Sequence, residues 1–340
     1  MSASLEPVSA QRTARVVRPP DGALRRFVSA NRAAVGTFAV FVVMMAAFMA
    51  ASPAVFLHWP IYNSVLVTLP VALCLVVPLV FVVTVGEIDL SFPATMGFSA
   101  WIFALAVHAG YSPFLAILAA LATGMALGAC VGGLVVIAGL SSLIATLGMN
   151  FMLRGFIMIC TSAKSIALVE MTDDPLAHIL SGDVYGIPAQ MFWAIGFVIV
   201  ASQLYGRHRF GARIHCVGDN PDSAAQMGIN VNRVRIATFV FMGLGAALAG
   251  VFTTMVNFTW WPTTGDGYLL PAIASVFVGG TPTWGGVGTI TGGAIGALIV
   301  SFIQSGIVAA GLSGFYVQFF NGLIIILALL GHRWNQKRYR

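Results

Sequence analysis

Charge is what this chain has least of. Asp, Glu, Lys and Arg together make up 8% of its 340 residues, against roughly 25% in an ordinary soluble domain. A water-exposed surface cannot be assembled from so little charge, so a soluble globular protein is excluded. Cysteine is also scarce. Cys74, Cys130, Cys160 and Cys216 show neither CxxC nor CxxH spacing, which argues against a zinc ribbon or a disulfide framework. Three of them fall in apolar blocks and read as small buried residues. His58 and His108 have no partner at metal-ligand spacing, and no HExxH is present. Lysine occurs twice, as Lys164 and Lys337. Neither closes a GxxxxGK[ST] loop, so ATP hydrolysis by a P-loop in this chain is not expected. Also missing are the short alternating segments of a membrane β-barrel and the early apolar core of a cleaved signal peptide.

What fills the chain is apolar sequence in long blocks. Hydrophobic residues make up 59%, and runs such as AAVGTFAVFVVMMAAFMAAS from Ala33 are long enough to cross a bilayer as a helix, which takes about 20 residues. Candidate spans lie near 34–52, 61–83, 93–109, 113–137, 141–160, 190–205, 236–257, 269–280, 289–310 and 314–331. The eighth is the shortest. The predicted fold is an all-α polytopic membrane protein of about ten transmembrane helices. A tail over 1–33 precedes the transmembrane domain, 34–331, and a tail over 332–340 follows it. Gly124, Gly128 and Gly132 within GMALGACVGG stand at four-residue spacing, which predicts a close helix–helix contact.

Basic residues give the orientation. Six arginines precede the first span (Arg12, Arg15, Arg18, Arg25, Arg26 and Arg32). Five occupy 206–235 (Arg207, Arg209, Arg213, Arg233 and Arg235). Arg333, Lys337, Arg338 and Arg340 follow the last span, leaving Arg154 and Lys164 elsewhere. Ten spans put these three segments on one side, the cytosol, with both termini there. The segments 161–189 and 258–268 then fall outside, carrying Glu170, Asp173, Asp174, Asp183 and Asp266. The formal net charge of +6 is a topology signal. It does not point to nucleic acid, because the basic residues are not interleaved with stacking aromatics on one soluble face.

Within the basic 206–235 loop, GDNPDSAAQMG carries its own helix start and stop. Asn220 suits the N-cap, Pro221 the first helical position, Asp222 the positive helix end and Gly228 the stop. A two-turn helix held between spans offers a small, weakly charged docking surface; an ordinary ordered loop is the plainer reading.

Several segments in this order resemble one family. They are GEIDLS from Gly86, IATLGMNFMLRG from Ile144, GARIHCVGDNPDSAAQMGINVNRVR from Gly211, FMGLGAALAGV from Phe241 and AIASVFVGGTPTWGGVGTITGGAIGALIV from Ala272. Together, over about Pro53 to Gly331, they resemble the permease subunit of bacterial ABC importers of the ribose/xylose/galactose type. The resemblance implies the permease fold of that family. It makes 219–228 a coupling helix that docks on a cytosolic ATPase through Asp219, Asn220, Pro221, Asp222, Ala224, Ala225 and Gly228. It also implies a second permease chain, identical or paralogous, and a periplasmic or lipid-anchored substrate-binding protein. No cofactor is expected in this chain, since ATP would be bound by the partner. SFPATMG after GEIDL and the aromatic NFTWWPTTGDGY depart from the family's usual pattern.

Glu87 and Asp89 raise a separate question. A carboxylate at the bilayer centre costs on the order of 3 kcal/mol, so the pair caps and hinges a broken helix near the pathway, sits in a solvated turn, or forms a proton site, for which no second intramembrane carboxylate or histidine completes a relay. Pro70 and Pro78 are candidate breaks in the preceding span. GEIDLSFPATMG and GYLLPAIASVFVG, from Gly86 and Gly267, each open a span with a glycine after a polar turn, from opposite sides, as an inverted repeat would. Asn150 and Arg154 are either a pathway-lining pair for a hydroxyl-rich substrate or, for Arg154, a side chain reaching the outer interface. Asn257, Trp260 and Trp261 are candidates for an outer gate, the tryptophans otherwise serving as belt residues. The function expected is translocation of a sugar or sugar-like polyol across the bacterial inner membrane, by alternating access driven by a separate ATPase. A branched-chain amino-acid permease and an ion-coupled secondary transporter are the alternatives.

Overall fold

The computed structural model describes residues 32–337; residues 1–31 and 338–340, with most of the two expected tails, lie outside the described residues. Fourteen helices account for about three quarters of it. They are α1 (Arg32–Ala51), α2 (Pro53–Phe56), α3 (Trp59–Thr84), α4 (Phe92–His108), α5 (Pro113–Val136), α6 (Ser142–Thr161), α7 (Pro175–Ser181) and α8 (Ala189–Gly206). After these come α9 (Arg209–Asp219), α10 (Pro221–Gln226), α11 (Val231–Asn257), α12 (Leu269–Val278), α13 (Ile290–Ala309) and α14 (Gly314–Lys337). Eight are long and apolar enough to cross a membrane, and α4 and α12 are shorter apolar helices between them. The short eighth span is the ten-residue α12, about 15 Å long at 1.5 Å per residue. The last apolar span is Gly314–Gly331, as expected, and its helix α14 continues beyond it to Lys337.

The longest helices, α3 and α11, form the centre. Pro70 and Pro78 do not break α3, which is continuous over 26 residues. A proline frees the carbonyl four residues earlier. At Pro78 that carbonyl is Cys74 O, and Gly245 of α11 packs directly onto it and onto the proline ring. Close packing by a neighbour is how a membrane helix tolerates an internal proline. The break falls instead at 85–91, between α3 and α4.

Glycines set the approach of α5 to α11. Gly124 lies against Gly243 and Ala247, Gly128 against the backbone of Phe239 and Val240, and Gly132 against Ile236. A four-residue glycine stripe lets two helix backbones touch, as the sequence predicted. The cysteine reading needs correction. Cys74 is buried, but Cys130 and Cys160 are exposed and Cys216 is half-buried. Those two exposed thiols lie on the surfaces of α5 and α6 that are turned away from the core.

Two units share a plan: a long helix, a turn and a shorter helix with proline near its start. One is α3, turn 85–91 and α4; the other is α11, turn 258–268 and α12. They run in opposite directions. The C-terminal end of α3 and the N-terminal end of α11 meet where Arg235 Nε approaches Glu87 Oε1 at 3.3 Å. This is the geometry of an inverted repeat.

Small strands tie the 161–189 segment down. β1 (Ile166–Ala167) pairs antiparallel with β4 (Thr259–Trp260), and β2 (Asp183–Val184) with β3 (Ile187–Pro188). Tyr185 and Gly186, both at positive φ, form the tip of the β2–β3 hairpin, and Tyr185 is fully exposed.

Candidate translocation and coupling sites

The turn at 85–91 is buried. Asp89 is 3% exposed and Glu87 9%. Asp89 Oδ1 accepts the Ser91 backbone N–H at 2.7 Å and the Ser91 hydroxyl at 2.6 Å. Asp89 therefore fixes the turn that launches α4, whereas Ser91, the N-cap residue, makes no capping bond with its own side chain. Glu87 is close enough to Arg235 for charge pairing, although Arg235 Nε is not aligned for a hydrogen bond. A paired carboxylate next to a charged helix end is far less costly than a bare one. Neither acid stands in a solvated turn.

The second turn, 258–268, pairs through β4 with the 161–189 segment and exposes Trp261, Thr263, Asp266 and Gly267, but it is not wholly at the surface. It folds back into the bundle. Trp260 is wholly buried, lies near-parallel to Trp101 at 6.2 Å between ring centroids, and donates its indole N–H to Gly97 O at 3.0 Å. Gly265, at φ +95°, sits against the Pro93 carbonyl, where no side chain would fit. Trp260 is thus an internal anchor rather than an interfacial belt residue, whereas Trp261 is 42% exposed. Asn257 is exposed and bonds only its own helix, through Thr253 O.

Arg154 holds this turn. Its guanidinium donates to Pro262 O at 2.8 Å and to Thr264 O at 3.1 Å, and it forms an ion pair with Asp266. The planar five-donor fork suits several acceptors at once. Arg154 therefore neither reaches for an interface nor stands free for a ligand. Asn150, one turn earlier, has a buried Oδ1 with no protein partner.

Asp266 also faces a cavity of about 210 Å³ between α3, α12 and α13, lined by Thr68, Tyr268, Ser275, Ser301 and Gln304 among others. A wider cavity of about 500 Å³ adjoins it, sharing Thr68 and Gln304 and adding His58, Ser64 and Ser305. The sequence reading did not single out these residues as a site. Its available signal was polar spacing within apolar helices: Ser64 and Thr68 are four apart on α3, and Ser301, Gln304 and Ser305 three and four apart on α13.

At the far end of α3 the 206–235 segment forms a platform. α9 was not foreseen. Its buried face, Gly211, Ile214 and Val217, and its exposed Arg209 and Arg213 follow helical spacing. α10 follows the expected signals: Asn220 Oδ1 accepts the Ser223 N–H at 2.9 Å, Pro221 opens the helix, and Gly228 ends it at φ +80°. Ala224 is fully buried beneath α10, while Asp222, Ser223 and Ala225 face outward. The platform is locked to the bundle at Gly218, which lies on Thr84 O. The same carbonyl accepts the Gly286 N–H at 2.8 Å, and the Thr84 hydroxyl meets Tyr205 Oη at 2.7 Å. His215 Nδ1 lies 2.9 Å from Gly286 O. The end of α3, the platform and the 279–289 loop between α12 and α13 thus meet at one point.

Among the described residues, no group of three or more His, Cys, Asp or Glu is arranged to hold a metal ion.

The whole bundle has known relatives. A family profile described as "Branched-chain amino acid transport system / permease component" matches residues 61–329. The chain is 34% identical over 256 residues to the ribose import permease protein RbsC of Escherichia coli K12, covering 75% of this chain and 79% of that one. It is 32% identical over 295 residues to the D-allose transport system permease protein AlsC of the same strain, covering 86% and 90%. The autoinducer 2 import system permease protein LsrC of Salmonella choleraesuis is 30% identical over 307 residues, covering 90% and 86%. No solved structure gave a significant match. A polytopic helical bundle of this plan, matched over most of its length, belongs to the permease-component family of ABC importers.

Proposed function

We propose that this chain is the membrane-spanning subunit of a sugar importer, moving a sugar or sugar-like polyol across the bacterial inner membrane by alternating access. The observation that carries this reading is the similarity to ribose and allose permeases along most of the chain. A separate cytosolic ATPase drives the change by pressing on α10, and a soluble or lipid-anchored binding protein delivers substrate on the other side. A second permease chain completes the pore. The α10 surface supports the ATPase contact: it is short, capped at both ends and small-residue-rich, and α9 seats it on the end of α3. Its role in docking would rest on Asp219, Asn220, Pro221, Asp222, Ala225 and Gly228 at or near the surface, with Ala224 as the buried support.

The reading is tested by reconstituting the chain in proteoliposomes with the ATPase and binding protein encoded beside it. ATP-dependent uptake of labelled ribose or allose is expected. Uptake of leucine with no sugar uptake would transfer the chain to the amino-acid branch that the family description names.

Orientation has its own test. The arginine-rich 206–235 platform belongs in the cytosol and the 161–189 segment outside. In a background lacking the four native cysteines, a membrane-impermeant thiol reagent applied to intact cells should modify Tyr185→Cys at the hairpin tip. It should spare Met227→Cys, which is also exposed. The opposite pattern overturns the orientation.

A further inference from the structure

We propose that the cavity between α3, α12 and α13 is where the permease itself holds a polyhydroxylated substrate, and that the Arg154–Asp266 ion pair senses its occupancy. This rests on the sugar-importer reading and extends it to particular residues.

The first argument is the chemistry of the lining. Thr68, Asp266, Tyr268, Ser275, Ser301 and Gln304 converge on one cavity of about 210 Å³. Ser275 donates its hydroxyl proton to Pro271 O and Thr68 to Ser64 O, within their own helices. Their oxygen lone pairs remain to accept. Asp266 only accepts, and the Gln304 amide can do both. A sugar hydroxyl donates one hydrogen bond and accepts others, so a ring of them matches this mixed lining. An amino acid does not. Its carboxylate would find no Lys or Arg to pair with in the lining of either cavity. The guanidinium nearest the site, Arg154, is already committed to two carbonyls and Asp266.

The second argument is access. Thr68 and Gln304 line both this cavity and the wider one beyond it, where Ser64 and Ser305 face each other at 3.4 Å. The two cavities therefore adjoin between α3 and α13 at Thr68 and Gln304, with a few polar side chains set among mostly apolar neighbours, and the smaller one ends against the 258–268 turn.

The third argument is the ion pair at that end. The Arg154 side chain is 17% exposed and the Asp266 side chain 57%. The cation is mostly buried in the turn, whereas the anion is more than half exposed and belongs to a residue that lines the cavity. A substrate hydroxyl donating to Asp266 competes with Arg154 for the same carboxylate. Filling the cavity then loosens one of the three bonds that hold the turn inside the bundle. The turn carries Trp260 against Gly97 and Gly265 against Pro93, so its release would be felt at the first turns of α4.

The test uses the reconstituted importer with single cysteines in the background lacking native ones. Labelling of Ser301→Cys by a small methanethiosulfonate reagent should be slowed by ribose or allose, whichever is transported, and not by leucine. Adding Gln304→Leu, which leaves the ion pair untouched, should weaken that protection about fivefold, the effect of one lost hydrogen bond to a neutral group. A cysteine at Thr263, on the turn, should label faster when the sugar is present. Asp266→Asn should label equally fast at that cysteine with or without sugar, because the charge that holds the turn is gone. If the importer transports a sugar that does not protect Ser301→Cys, the cavity is not the site and the inference fails while the sugar reading stands. If leucine is transported instead, the sugar reading fails first. If Asp266→Asn inserts normally but Thr263→Cys keeps its slow, sugar-dependent labelling, the ion pair does not sense occupancy.

Discussion

Ala225→Trp is expected to reach the membrane at wild-type abundance, to lose its ATPase in a detergent pull-down, and to import nothing. The reason lies in how α10 presents its two adjacent alanines. Ala224 is fully buried under the helix, and Ala225 points away from it. An indole at position 225 meets no atom of this chain's core, so folding is spared. It does fill the small-residue surface on which a partner would close, and overpacking a fitted site costs roughly 1–3 kcal/mol. The same change at Ala224 should behave differently, reducing the amount of folded protein, because that side chain has no free space. Charge matters little here, since Asp219 and Asp222 are the only ionised groups from 219 to 228. Normal ATPase retention and normal uptake in Ala225→Trp would place the coupling surface elsewhere.

The second large effect is on the fold. Gly128→Leu should leave little folded protein after mild detergent extraction, measured as the monodisperse fraction in size-exclusion chromatography. The three atoms nearest a side chain at 128 are all backbone: Phe239 O, Phe239 C and Val240 Cα. Backbone cannot rotate away as a flexible side chain would. The α5–α11 contact must therefore open, and α11 is one of the two central helices. Gly133 is the control on the same helix. A side chain there would meet nothing within 4 Å, and Gly133→Ala should be neutral or slightly stabilising, since alanine is the better helix former by roughly 1 kcal/mol. Equal, near-normal yields for Gly128→Leu and wild type would show that α5 and α11 do not depend on close approach.

Much of the bundle was legible because the signals are local. Hydropathy over about 20 residues finds a span wherever it lies in the bundle. The caps of α10 lie within three residues of the groups they satisfy, so Asn220, Pro221 and Gly228 could be read directly. The glycine stripe of α5 announced a contact, although not its partner. α9 was missed because its period-3.6 pattern, with Phe210, Ile214 and Val217 between arginines, is only eleven residues long, near the limit at which periodicity is visible.

By itself, then, the sequence determined the membrane class, the ten apolar segments, the basic asymmetry and a short capped helix in the 206–235 segment. Each of these is read from composition or local pattern and needs no knowledge of which distant segments meet. The tertiary structure decided the rest. Both prolines sit in an unbroken α3, and at Pro78 it is Gly245, far along the chain, that covers the freed carbonyl. The turn at 258–268 reads as an outer loop until Trp260 finds Gly97 and Arg154 finds Pro262 and Thr264, pairings more than a hundred residues apart. Asp266, which looked like one more outside acid, becomes the charged wall of a cavity whose other walls come from α3 and α13. No local pattern encodes such pairings, because buried donors and acceptors take whatever partner the packing of distant helices brings within hydrogen-bond reach.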